Sequence, residues 1–155
     1  MGGDTAMNRR PYIIILAVLL IAIAATVGYM YYKKMPQVSG DETKEMLEGY
    51  KAGLEEAYTE LNETYAKLAV DKDPAKWHSF SSEWMPKLSG IRPANIDKRL
   101  PSKYDGKKNL LVSTHGALIS LWTEYNKDFT GDETDQERVK EMKTGIEDVF
   151  ENLEI

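Results

Sequence analysis

Two histidines, His78 and His115, and the acidic group Asp128, Asp132, Glu133, Asp135 and Glu137 are the side chains suited to acid–base chemistry or metal binding. Neither histidine lies in a Glu-x-x-His or His-x-x-x-His pattern, the spacings that turn two ligands the same way on a helix. Read as a twelve-residue calcium loop from Asp128, the acidic group places Glu133 where the turn needs glycine and Val139 where a bidentate acid belongs. Helix caps and turns account for these acids. There is no nucleophile elbow or phosphate-binding loop. The absence of cysteine removes thiolate ligands, disulfides and haem attachment through sulfur. The sequence thus points to no catalytic residue, metal site or cofactor.

Two other constellations are candidates for binding. Trp77, Trp84, His115 and Trp122 fall on predicted apolar helix faces and would line a pocket for an apolar ligand; packing of a core requires the same spacing. The stretch 87–108 is rich in lysine and arginine and has only Asp97 and Asp105 against them. Its Arg92, Lys98, Arg99, Lys103, Lys107 and Lys108 are candidates for contact with anionic headgroups or an acidic partner, a solvated loop being the plain alternative.

This basic stretch stands out against its surroundings. Residues 1–34 carry a net charge of +3, so the whole-chain value of −5 leaves −8 on residues 35–155. An acidic surface of that kind repels phosphate backbones, and no nucleic-acid partner is expected.

Hydrophobic periodicity predicts the elements that hold these residues. Leu47, Tyr50, Leu54, Tyr58, Leu61, Tyr65 and Leu68 alternate spacings of three and four, the heptad-type stripe of a long helix starting near Asp41, with Ser39 or Asp41 as its cap. Asp73-Pro74 reads as a cap and first helical position before a shorter stripe of Trp77, Phe80, Ser81, Trp84 and Leu88. Pro86 is a candidate to bend or end that helix. Residues 89–103 lack periodicity and predict a connecting loop. A third helix is expected over about 104–128, burying Leu111, His115, Leu118, Leu121, Trp122 and Tyr125. The fourth is expected to begin with a Thr134–Glu137 capping box and to bury Val139, Met142, Ile146, Val149, Phe150 and Leu153. Four such stripes predict an all-α fold with an up-down-up-down four-helix bundle over residues 41–155.

Ahead of the bundle, residues 11–34 predict a transmembrane anchor. The stretch is uncharged between Arg9-Arg10 and Lys33-Lys34, and at about 1.5 Å per residue it reaches roughly 33 Å, against about 30 Å of hydrocarbon. Tyr12, Tyr29, Tyr31 and Tyr32 suit the headgroup region and favour an uncleaved anchor over a cleaved signal peptide. Residues 1–10 would be a short tail and residues 35–40 a stalk. The expectation is a single-pass membrane protein with its C-terminal domain outside the cytoplasm.

These features together predict a membrane-anchored, non-catalytic binding protein, a scaffold or assembly partner at the cell envelope, for which a protein partner and homo-oligomerisation are both compatible. A ligand-binding sensory module with an aromatic-lined pocket is the alternative.

Overall fold

The computed structural model describes residues 25, 26, 28–31, 33 and 37–155. The chain divides into two compact units, Met1–Pro36 and Gln37–Ile155. In the first, the described residues are helical and exposed. The second is all-α: among the described residues there is no strand, and four helices pack around one core.

Helix α1 (Gly40–Asp71) starts where Ser39 Oγ accepts the Glu42 N–H at 3.2 Å and ends at Lys72, whose φ of 45° turns the chain out of the helix. Helix α2 (Pro74–Ile91) is capped by Asp73, which accepts the Lys76 N–H at 3.1 Å, with Pro74 in the first turn as expected. Pro86 lies on the exposed side and α2 continues past it to Ile91. A 3₁₀ turn, Ser102–Tyr104, leads into helix α3 (Asp105–Thr130), which ends at Gly131 with φ of 87°, a conformation that glycine adopts without a Cβ clash. Helix α4 (Gln136–Asn152) completes the fold.

The predicted stripes supply most of the core. Leu47, Tyr50, Leu54 and Leu61 of α1, Trp77, Trp84 and Leu88 of α2, and Leu111, Leu118, Leu121 and Tyr125 of α3 are buried; α4 contributes Val139 and Ile146. Helices α1 and α3 pack closely, with Tyr65 stacked on Tyr125 at a centroid distance of 3.7 Å. Helix α2 joins them through Trp77 on Phe129, 4.6 Å apart, and α4 through Phe150, edge-on to Tyr58 at 5.8 Å. Gly53 allows α2 to close on α1, since a Cβ there would lie 2.6 Å from Ile91 Cγ2.

Two local expectations need revision. The connecting loop begins only after Ile91, where α2 ends, and it is partly buried: Ile96, Leu100 and Tyr104 face the core, and the Arg99 carbonyl accepts the Val38 N–H at 3.1 Å. Short apolar residues without a period can seal the open end of a helical core. The fourth helix is capped by Asp135, which accepts the Arg138 N–H at 3.0 Å, and not by Thr134. The single Thr134 hydroxyl proton is instead directed to Asp128, with the Glu124 carbonyl as a more distant acceptor at 3.3 Å.

The expected single-pass membrane placement is corrected as well. Among the described residues no helix is long and apolar enough to cross a membrane. Helices α1, α2 and α4 carry charges along their length, and the uncharged run 109–123 within α3 covers only about 22 Å of the roughly 30 Å required. Most of the stretch 11–34, on which that expectation rested, lies outside the described residues.

Candidate binding site

The tryptophans anticipated as a ligand pocket are divided between the core and a surface groove. Trp77 and Trp84 are buried and hydrogen-bonded, Trp77 Nε1 to Asn126 Oδ1 at 3.0 Å and Trp84 Nε1 to the Ala57 carbonyl at 3.1 Å. A buried indole needs such a partner, and with it the ring is fixed as packing. Trp122 is half-buried and donates to Ser81 Oγ at 3.0 Å. It borders an open groove of about 470 Å³ between α2 and α3, where His78, Met85, Asn126 and Phe129 also contribute.

His115 sits apart from the tryptophans, paired with Tyr50: the hydroxyl lies 2.9 Å from Nδ1. Burial raises the Tyr50 hydroxyl above its usual pKa and lowers that of His115, an effect to which the positive charge of Arg92 adds. Both shifts favour the neutral forms, so the contact is a hydrogen bond between an uncharged hydroxyl and an uncharged imidazole. The pair ties α1 to α3. Among the described residues no group of three or more acidic or histidine side chains could hold a metal ion.

The basic candidates cluster at the start of α3. Lys103 and Lys107 place their ammonium groups 4.8 Å and 5.8 Å from the centre of the Tyr104 ring, within cation–π range. Lys108 is half-buried in the same turn, and Lys98 and Arg99 precede it in the connection. Arg92 is drawn elsewhere, forming an exposed ion pair with Asp97 at 2.9 Å. Lys87 is spanned by Glu56 and Glu60 of α1 at 3.0 Å and 2.9 Å.

No family model matches this chain, and no curated protein or solved structure is significantly similar to it. The site must be read from its own chemistry.

Sequence reasoning passed over two features. The first is Glu124, an acid on α3 that periodicity assigns to a polar face but whose side chain is only 3% exposed. Its carboxylate accepts from Lys127 at 2.8 Å and pairs with Arg138 of α4 at 3.3 Å. The Lys127 hydrogen bond outweighs burial and holds Glu124 below its ordinary pKa, with smaller help from the Asp135 N–H and the Arg138 charge. Beside it, Asp128 receives the hydroxyls of Tyr65 and Thr134. Among the described residues no buried side-chain nitrogen or oxygen lacks a hydrogen-bond partner.

The second is the outer surface of α3. From 109 to 123 the helix bears no charged residue, yet one side of it faces solvent. Leu110 is 46% exposed and Ile119 37%, and Ser113, Gly116 and Thr123 are exposed between and beside them. Next to this surface a shallow depression of about 230 Å³ runs between α3 and α4, lined by Leu110, Ala117, Met142 and Val149 among others. The missing charge was visible in the sequence. Its meaning depended on knowing that α3 keeps a face outside the core, because an uncharged helix ordinarily buries its whole circumference.

Proposed function

We propose that the folded unit works by binding another protein, as a scaffold or assembly partner without chemistry of its own. The observation that carries this reading is the uncharged, partly apolar outer face of α3 laid over a core whose buried polar groups are satisfied. A chain with this density of charged side chains has little reason to leave a helix face bare of them unless a partner dries it. In this reading the helices run up-down-up-down. Tyr65–Trp77, Ala57–Trp84 and Gly53–Ile91 pair α1 with α2 in opposite order, Tyr50–His115 and Tyr65–Asp128 pair α1 with α3 in the same order, and Tyr58–Glu147 and Lys51–Leu153 return along α4.

A photo-reactive residue placed at Leu110 or Ile119 tests the proposal in cells that make the chain. Discrete adducts from these positions, with none from exposed Lys140 of α4, are the expected result. Equal labelling from all three would remove the surface as a binding face.

The groove beside Trp122 favours a second reading, a small apolar ligand, since its volume falls within the range of roughly 300–1,000 Å³ usual for such sites. A ligand seated there shifts Trp122 emission in the wild type, and Met85→Glu abolishes the shift. A ligand whose effect survives that substitution binds elsewhere.

A further inference from the structure

We propose that the groove between α2 and α3 takes an uncharged aromatic compound bearing a carbonyl group, its ring against Trp122 and Met85 and its oxygen accepting from Asn126 Nδ2. This rests on the ligand reading of the groove and adds the class of ligand.

Two hydrogen bonds join α2 to α3 at the groove, and both start from an indole. Trp77 Nε1 donates to Asn126 Oδ1 at 3.0 Å, and Trp122 Nε1 donates to Ser81 Oγ at 3.0 Å. An indole nitrogen donates and never accepts, so the Asn126 amide is fixed with its oxygen toward Trp77 and its NH2 group left over. Ser81 likewise gives up a lone pair and keeps its own proton. Neither Asn126 Nδ2 nor the Ser81 hydroxyl proton meets an acceptor among the described residues. The other hydroxyls of the groove are already directed elsewhere: Ser82 donates to the Ser79 carbonyl at 2.8 Å and Thr130 to Asp132 at 3.0 Å. His78, on the exposed rim, has a ring that donates or accepts. The two indoles have thus consumed acceptors and left donors, and a ligand that completes the groove brings an acceptor.

Around these donors the walls are apolar and uncharged. Pro74, Met85, Trp122 and Phe129 line the groove, and no lysine, arginine, aspartate or glutamate does. Such walls suit a flat ring, since aromatic faces stack and a thioether makes favourable contacts with an aromatic edge. A carboxylate ligand is disfavoured, because the folded unit carries −8 and Asp132 is bonded to Thr130 of the groove. A cation finds no carboxylate among the lining residues to pair with. A neutral carbonyl oxygen supplies the missing acceptor without either penalty.

The test uses the isotope-labelled full chain, with acetophenone as the carbonyl probe, ethylbenzene as its counterpart without an acceptor and benzoate as the anionic counterpart. Apolar probes also partition into other apolar stretches of a chain, so the readout is local: the Trp122 indole N–H and Asn126 side-chain amide resonances at matched sub-millimolar probe concentrations. Acetophenone should move the Asn126 amide protons downfield, as a new acceptor does, and ethylbenzene and benzoate should not. Both neutral probes should shift Trp122, and Met85→Glu should remove those shifts. Asn126→Asp keeps an oxygen for Trp77 and replaces the donor with an acceptor, and an unchanged Trp77 indole resonance shows that this bond and the fold persist. In that variant the Trp122 shift caused by acetophenone should fall about tenfold while the shift caused by ethylbenzene holds. Retention of both shifts in Asn126→Asp, no downfield movement of the wild-type Asn126 amide, or a benzoate shift as large as that of acetophenone would overturn the ligand class and leave the groove as a binding site. No Trp122 shift from either neutral probe, or shifts that survive Met85→Glu, would remove the groove as a ligand site and the proposal with it.

Discussion

Arg138, in the first turn of α4, lies 3.3 Å from the carboxylate of Glu124 on α3, and Glu124 is almost wholly withdrawn from solvent. Removing that carboxylate leaves Arg138 and Lys127 side by side with no anion between them. Glu124→Ala is expected to lower stability by about 2–3 kcal/mol in urea unfolding.

The same contact sets an acid dependence. Because Glu124 is held below the ordinary value of 4.5, the folded chain binds its proton more weakly than the unfolded chain. The stabilisation is complete above the unfolded value and is lost as pH falls through the lower folded value. Between about pH 5 and about pH 3 the urea midpoint of the wild type should therefore fall more steeply than that of Glu124→Gln. Identical slopes would mean that the pair contributes nothing to acid sensitivity.

The start of α4 distinguishes two capping schemes. Asp135→Ala removes the observed cap and is expected to cost about 1 kcal/mol. Thr134→Ala should be destabilising for another reason, the loss of its hydroxyl contacts with Asp128 and the Glu124 carbonyl. Glu137→Ala should be nearly silent; a loss as large as that at Asp135 would restore the capping box read from the sequence.

His115 provides an internal probe of α1–α3 docking. Burial, with Arg92 adding to it, holds the imidazole below 6.5, so protonation favours the unfolded chain and its contribution to stability fades as pH falls through the folded value. Titration of the imidazole resonances should show this depressed midpoint, with Arg92→Ala moving it part of the way back. No movement would leave burial as the whole cause.

Two glycines four residues apart on α1 should respond in opposite ways to alanine. At Gly49 nothing lies within 4 Å of a new Cβ, and Gly49→Ala should stabilise by about 0.5–1 kcal/mol through helix propensity. At Gly53 the new methyl meets Ile91 Cγ2 at 2.6 Å, and repacking of about 1–3 kcal/mol should exceed that gain. Ile91→Ala combined with Gly53→Ala should recover part of the loss. A stabilised single variant would show that α2 can move away freely.

The contrast between α1 and α3 shows what periodicity can and cannot reach. On α1, Leu47, Tyr50, Leu54 and Leu61 were placed in the core by spacing alone, because a helix with one apolar stripe has one way to bury it. The caps at Ser39 and Asp73 were legible for a similarly local reason: a short polar side chain before a helix meets N–H groups that have no other acceptor. On α3 the surface is apolar or neutral over most of its circumference, and spacing could not say which side would remain outside.

The sequence by itself determined that the chain folds into helices, where the first three begin and most of the stripe that each of those three buries, since these follow from interactions within a few residues. Tertiary structure alone decided that Trp77 and Trp84 are packing, that Glu124 is a buried clasp to α4, and that Leu110 and Ile119 stay exposed. Each of those outcomes depends on a neighbour far along the chain, Asn126, Ala57 or Arg138, or on the absence of one, and no local pattern encodes which helix will lie alongside.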